Sequence, residues 1–251
     1  MCRIDYYSRP EWSFSQLKHI VKSGIDYAVF AKNGGLPAPA SKFIDIGQIV
    51  HDEILQQGKQ HWVVKAYPNF LTKEAKEWRD AQTLPIIDEV QFEQIASCCE
   101  QIKTHPLYNT LLVNNDIQNE KELYAKVNGV SLRGKADAWT KLPNGMVTIT
   151  DLKTTAKFDD WKYNSFKMHY DLQSSVYSNL SADETDFYFF IAETIKPFRT
   201  AVMHVSQEFY ENGNKKLATC IEEIVKFGSR KLDFHQNKTL ADTVELGDMS
   251  W

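Results

Sequence analysis

Apolar positions in the first third of the chain recur at helical spacing. SFSQLKHIVKS opens with Ser13 and carries Gln16 three residues later, a capping-box pattern, with Leu17, Ile20 and Val21 as its apolar stripe. DIGQIVHDEILQQ repeats the pattern with Ile46, Ile49, Val50 and Ile54, after a loop reading GGLPAPAS. TKEAKEWRDAQT and IDEVQFEQIASCCEQIKTHP predict two more helices, the second ending before Pro106. The period then changes from helix to strand. ELYAKV, SLRGKADAWT and MVTITDLKT read as strands separated by Asn128-Gly129 and Pro143-Asn144-Gly145, so an antiparallel meander is expected. A helix over about 160–181, the strands DFYFFIAETI and FRTAVMHVS, a last helix over about 207–227 and a polar tail complete the pattern.

Helices around a central mixed sheet, with a helix between two strands, predict one α/β (α+β) domain over 1–251. Its parts are a mainly helical stretch over 1–118, a sheet-and-helix core over 119–205, and a C-terminal helix and tail over 206–251. No internal repeat or low-complexity linker divides it. At 43% hydrophobic and 25% charged, the 251 residues have the composition of a folded globular protein. The start is mixed and polar, and no window reaches the apolar length of a membrane span, so a soluble intracellular protein is expected. Cys2, Cys98, Cys99 and Cys220 show no metal-site spacing and read as buried reduced thiols. The net charge of -4 excludes a wholly basic nucleic-acid packaging protein but not a local basic groove.

The chemistry concentrates where the meander ends. Asp151 and Lys153 lie on one face of a strand that should otherwise bury apolar groups: an exposed ion pair, or half of an active site. A three-residue loop over Pro143–Gly145 sets Asp137 opposite Asp151, and a two-residue Asn128-Gly129 turn sets Glu122 opposite Lys135, diagonal to Asp137. Glu120 has the same strand parity and is the alternative to Glu122. Opposed side chains have Cβ atoms only ~5 Å apart, and carboxylates that close repel unless a proton or cation intervenes. An all-oxygen donor set suits Mg²⁺ or Mn²⁺; the competing account is a solvated, charged sheet face. From Lys121 to Lys167 nine Lys/Arg stand against five acids, a local excess of four positive charges in an acidic chain. Such a surface suits a phosphate backbone, with Arg133, Lys135, Lys157 and Lys162 as candidate DNA contacts. Trp139, Trp161, Tyr163 and Phe166 could stack on bases, although core packing is the commoner use of aromatics.

Asp137 followed by Asp151-Leu152-Lys153 on the next strand resembles the PD-(D/E)XK nuclease superfamily, with GKAD as the first motif and Ala136 in place of its Pro. Gln173 and Tyr177 resemble the QxxxY motif of RecB-like nucleases, and Gly47 with His51 the helical G…H motif of the same group. With SFSQLKHIVKS, QIKTHP and Glu122, the order is most similar to the exonuclease VIII (RecE) type, over about residues 7–205. The resemblance implies a restriction-endonuclease-like fold and a metal-dependent DNA exonuclease. Asp137, Asp151 and the Leu152 carbonyl would bind one or two Mg²⁺ or Mn²⁺ ions, with Glu122 and His51 completing the metal environment. Lys153 would orient or deprotonate water, and beside a metal and its cationic neighbours its pKa could be lowered; Gln173 and Tyr177 would position Lys153 or the DNA. It further implies 5′→3′ digestion of linear duplex ends in phage-type recombination, in the bacterial host cytoplasm. A single-strand annealing recombinase and a homo-oligomeric assembly are the implied partners. An endonuclease or flap-type nuclease on the same scaffold, and a non-catalytic DNA-binding module, are the rival readings.

Overall fold

Capping at Ser13 works as the sequence suggests: its N–H donates to Gln16 Oε1 at 3.0 Å. In a computed structural model, which describes residues 6–35, 45–114, 116–181 and 183–227, a short strand β1 (Trp12–Ser13) leads into α1 (Phe14–Ser23) and α2 (Ile25–Lys32). Helix α3 (Ile46–Leu55) is capped by the Asp45 carboxylate, which accepts from the Gln48 N–H at 3.1 Å, and buries Ile49, Val50 and Ile54. A two-residue parallel pair, β2 (Val63–Val64) and β3 (Ile86–Ile87), encloses α4 (Lys73–Asp80), and α5 (Glu89–Thr104) stops before Pro106. Residues 36–41 of the expected loop, Cys2 and the tail VELGDMSW lie outside the described residues.

The meander forms in the expected register. Asn128 and Gly129 take φ of 46° and 88°, as a two-residue primed turn requires, joining β4 (Gln118–Val127) to β5 (Val130–Lys141) with Glu122 opposite Lys135. β5 turns into β6 (Val147–Thr155) with Ala138 opposite Thr150, the register that the count from the turn gives; the ladder ends there, one residue before Asp137 and Asp151. The helix expected over 160–181 is two helices, α6 (Trp161–Lys167) and α7 (Tyr170–Leu180). His169, at φ 58°, breaks the run between them. β7 (Thr185–Glu193), β8 (Thr200–His204) and the 21-residue α8 (Gln207–Phe227) follow.

The six-stranded mixed sheet runs β1-β5-β6-β7-β8, with β4 on the other edge of β5. One face packs on α1, α2, α7 and α8 through Leu17, Leu172, Val176 and Phe189; the other packs on α3 and α5 through Val50, Ile54, Ile102 and Phe190. Burial on both faces suits the long apolar runs of β6 and β7. Tyr163 and Phe166, 70% and 43% exposed, are surface groups, whereas Trp139 and Trp161 pack against the core. Cys98, Cys99 and Cys220 are buried free thiols. Among the described residues no helix is long and apolar enough to cross a membrane.

Candidate active site

Strands β5 and β6 separate at the acids. Their ladder runs only from Lys141↔Val147 to Ala138↔Thr150, after which β6 continues along β7 alone as far as Thr155. At this fork the Leu152 N–H donates not to a strand carbonyl but to Asp137 Oδ2, at 2.8 Å. The carboxylate therefore takes the place of a strand bond and is held rigidly while 8% exposed. Across β5, the β4 pairing skips Glu120, whose φ is 55°. Strand alternation also fails here, since Ala136 joins the core under α1, α7 and α8 while Ala138 joins that under α3 and α5. This local distortion aims Glu120 at Asp137.

The structure thereby corrects the choice between the two glutamates. Donor atoms of His51, Glu120 and Asp137 lie within 4.8 Å of one another. Glu122 faces Lys135 in the register, and its carboxylate accepts from the Tyr124 hydroxyl at 2.6 Å, away from this group. His51 reaches the fork because α3 lies tight against β6: a Cβ on Gly47 would stand 2.4 Å from Thr154 Oγ1. From there His51 Nε2 approaches Asp137 Oδ2 to 3.0 Å.

Asp151 is gripped from two sides. Gln173 Nε2 donates to its Oδ1 at 2.7 Å, and the Lys153 ammonium stands 2.6 Å from its Oδ2. Burial holds the Asp151 carboxyl up at about 6, against the opposing charge of Lys153. Lys153 itself titrates above its ordinary value: burial acts to lower it, but the charges of Asp151, Tyr170 and Asp137 prevail. Without a metal, the nearest ionic partner of Lys153 is an acid, Asp151. Its ammonium also lies 4.7 Å from the centre of the Tyr170 ring, which stacks in turn on Trp161. Tyr170 was not singled out from sequence, although it sits one turn before Gln173 on the same helix.

Gln173 is directed at Asp151 rather than at Lys153, and the buried Tyr177 hydroxyl donates to the Lys135 carbonyl at 3.1 Å, tying α7 to β5. His51 is pushed up to about 9; burial acts downward, but the Asp137 hydrogen bond and the charges of Asp137, Asp151 and Glu120 outweigh it.

The four candidate DNA contacts stand in different surroundings. Arg133 is 3% exposed and donates to the carbonyls of Tyr6 and Tyr7, clamping the segment before β1. Lys135 is paired with Glu120. Lys157 and Lys162 are exposed, after β6 and on α6. Asp137, Asp151, His51, Lys153, Gln173 and Tyr177 share a cleft of about 730 Å³, walled by the start of α1 and by Tyr170.

His51, Glu120 and Asp137 give an imidazole nitrogen and carboxylate oxygens converging on one point, a donor set suited to a divalent cation of the Mg²⁺ or Mn²⁺ kind. Two features fit occupation: His51 Nδ1 is buried without a hydrogen-bond partner, and its Nε2 is 3.0 Å from a carboxylate. Asp151 and Leu152 border the same cleft.

A family model described as a PDDEXK-like domain of unknown function (DUF3799) matches residues 13–233. Among solved structures, a Eubacterium rectale protein proposed to be an exonuclease superposes with a TM-score of 0.59 at 16% identity, covering 86% of this chain and 80% of that one. A second, SSO0001, gives a TM-score of 0.36 at 12% identity over 81% of this chain and 96% of that one. No curated protein matches the chain by sequence.

Proposed function

The chain belongs to the DUF3799 family of PDDEXK-like domains, and on that premise we propose that it is a metal-dependent deoxyribonuclease that hydrolyses phosphodiester bonds from the ends of linear duplex DNA. The observation that carries this reading is the fork between β5 and β6. There Asp137, Asp151 and Lys153 are fixed by Leu152 and Gln173 beside the His51–Glu120 pair.

His51, Glu120 and Asp137, with Asp151 and the Leu152 carbonyl beside them, would hold one or two Mg²⁺ or Mn²⁺ ions. A divalent cation bound there supplies polarisation of the phosphoryl oxygens and acidifies water. The protein's own groups do the rest. Gln173 keeps one Asp151 oxygen turned inward, and the Leu152 N–H does the same for Asp137. Lys153, kept protonated by Asp151, supplies a fixed positive charge where negative charge grows on the phosphorus-bound oxygens. Tyr170 covers the ammonium on one side and restricts its motion. The site is dry enough for these charges to act strongly, since Asp137 and Asp151 are both buried.

By its likeness to the exonuclease VIII type, we place the activity on 5′→3′ resection that leaves a 3′ tail for an annealing recombinase, in a phage-encoded system acting in the host cytoplasm, with a homo-oligomer as the working form. The test is incubation with Mg²⁺ on linear, nicked and circular duplexes labelled at either end, beside Lys153→Ala and Asp151→Asn. Loss of 5′ label from linear DNA alone is expected, with both variants inactive. Cleavage of circular DNA would replace the exonuclease by an endonuclease, and full activity in both variants would remove the site assignment.

A further inference from the structure

Helix α1 carries a cationic stripe that leaves the cleft without a counter-charge. Phe14, Lys18 and Lys22 follow one another at i, i+4 and i+8, so they share one helix face. Phe14 forms part of the cleft wall, and the half-buried Lys18 places its ammonium 5.5 Å from the centre of the Phe14 ring. Lys22 is exposed one turn further out. α1 packs against both α7 and α8, and the turn before α7 presents His169, whose Nδ1 is 3.3 Å from the Lys216 ammonium of α8.

The surrounding cations are matched unevenly. Lys216 is met by the buried Asp171 at 2.6 Å, and Lys153 by Asp151 at 2.6 Å. Among the described residues no carboxylate forms an ion pair with Lys18 or Lys22. Burial, reinforced by the charges of Lys22 and Lys153, holds the Lys18 ammonium below its ordinary pKa. A half-buried cation whose charged neighbours are cations is costly to fold, and an anion arriving along the same face would relieve that cost.

We propose that the α1 face bearing Lys18 and Lys22 is a phosphate-backbone binding track, along which the DNA strand runs from the Phe14 lip of the cleft towards the α1–α2 end. This rests on the nuclease reading and assigns the strand path to residues other than Arg133, which is buried, and Lys135, which is paired with Glu120.

The experiment measures binding of a short labelled linear duplex by fluorescence anisotropy over a range of salt concentrations, in an Asp151→Asn background so that no cleavage intervenes. Lys18→Ala with Lys22→Ala is expected to weaken binding and to lower the slope of log K against log salt by about 1.8 for duplex contacts. Lys18→Arg with Lys22→Arg is expected to keep the slope, which separates lost charge from lost packing. Lys103→Ala, on α5 across the sheet, is the control and should leave binding unchanged. Were the lysine pair to leave the slope unaltered while the parent binds, the track would be wrong and the nuclease reading would stand. If the parent bound no DNA at all, that reading would fail and the track with it.

Discussion

Gln173 Nε2 lies 2.7 Å from Asp151 Oδ1, so a helix and a strand 22 residues apart in sequence share one buried hydrogen bond at the site. The other Asp151 oxygen is left to Lys153. A carboxylate with both oxygens committed cannot turn away, and partners that orient ligands in this manner change affinity or activity by about 10–100-fold when removed. Gln173→Leu, close in shape but without the donor, is predicted to lower kcat by that order with little loss of thermal stability. Rates unchanged within twofold, measured as release of acid-soluble nucleotide, would mean the bond is incidental.

Glu120, not Glu122, faces His51 and Asp137. Glu120→Gln should weaken Mn²⁺ binding by at least the roughly 10–100-fold that losing a supporting partner costs, whereas Glu122→Gln should leave it unaltered, because that carboxylate lies outside the donor group and bonds to Tyr124. Isothermal titration of Mn²⁺ into each variant reads the contrast. Equal losses in both would show that the site extends across both glutamates.

That distinction was within reach of the sequence. The Asn128-Gly129 turn sets the β4–β5 register, and the same count that puts Glu122 across from Lys135 puts Glu120 across from Asp137. Helix α8 and the two turns were equally legible, because capping, periodicity and turn chemistry are local. The losses have other causes. β2 and β3 hold two residues each, too few to show an alternation. The break at His169 carries no Gly or Pro to announce it. Arg133 reads as an exposed strand cation until the carbonyls of Tyr6 and Tyr7, remote in sequence, are known to receive it.

The approach of α3 to β6 makes a third prediction. A Cβ at position 47 would meet Thr154 Oγ1 at 2.4 Å, closer than contact allows, so Gly47→Ala must push the helix outward and draw His51 from the fork. Overpacking of this kind costs about 1–3 kcal/mol. Thr154→Ala removes the obstructing oxygen, so the double variant should recover most of the melting temperature and of the Mn²⁺ affinity lost in Gly47→Ala alone. Additive losses would place the fault elsewhere than in this contact.

His51 supplies the pH prediction. In the metal-free protein its folded-state pKa is about 9, above the ~6.5 of an unfolded histidine. A raised value means that the folded state holds the proton more tightly. The stabilisation is therefore fully present below about 6.5 and is lost as pH rises through about 9. Metal binding has the opposite dependence, because a cation must displace that proton. Mn²⁺ affinity is predicted to rise with pH across this window and to level off above it, with proton release detectable by titration in buffers of different ionisation enthalpy. His51→Gln should abolish both the alkaline loss of metal-free stability and the proton release in this range. A His51→Gln protein that still released a proton on binding Mn²⁺ would move the displaced proton to another group and remove His51 from the ligand set.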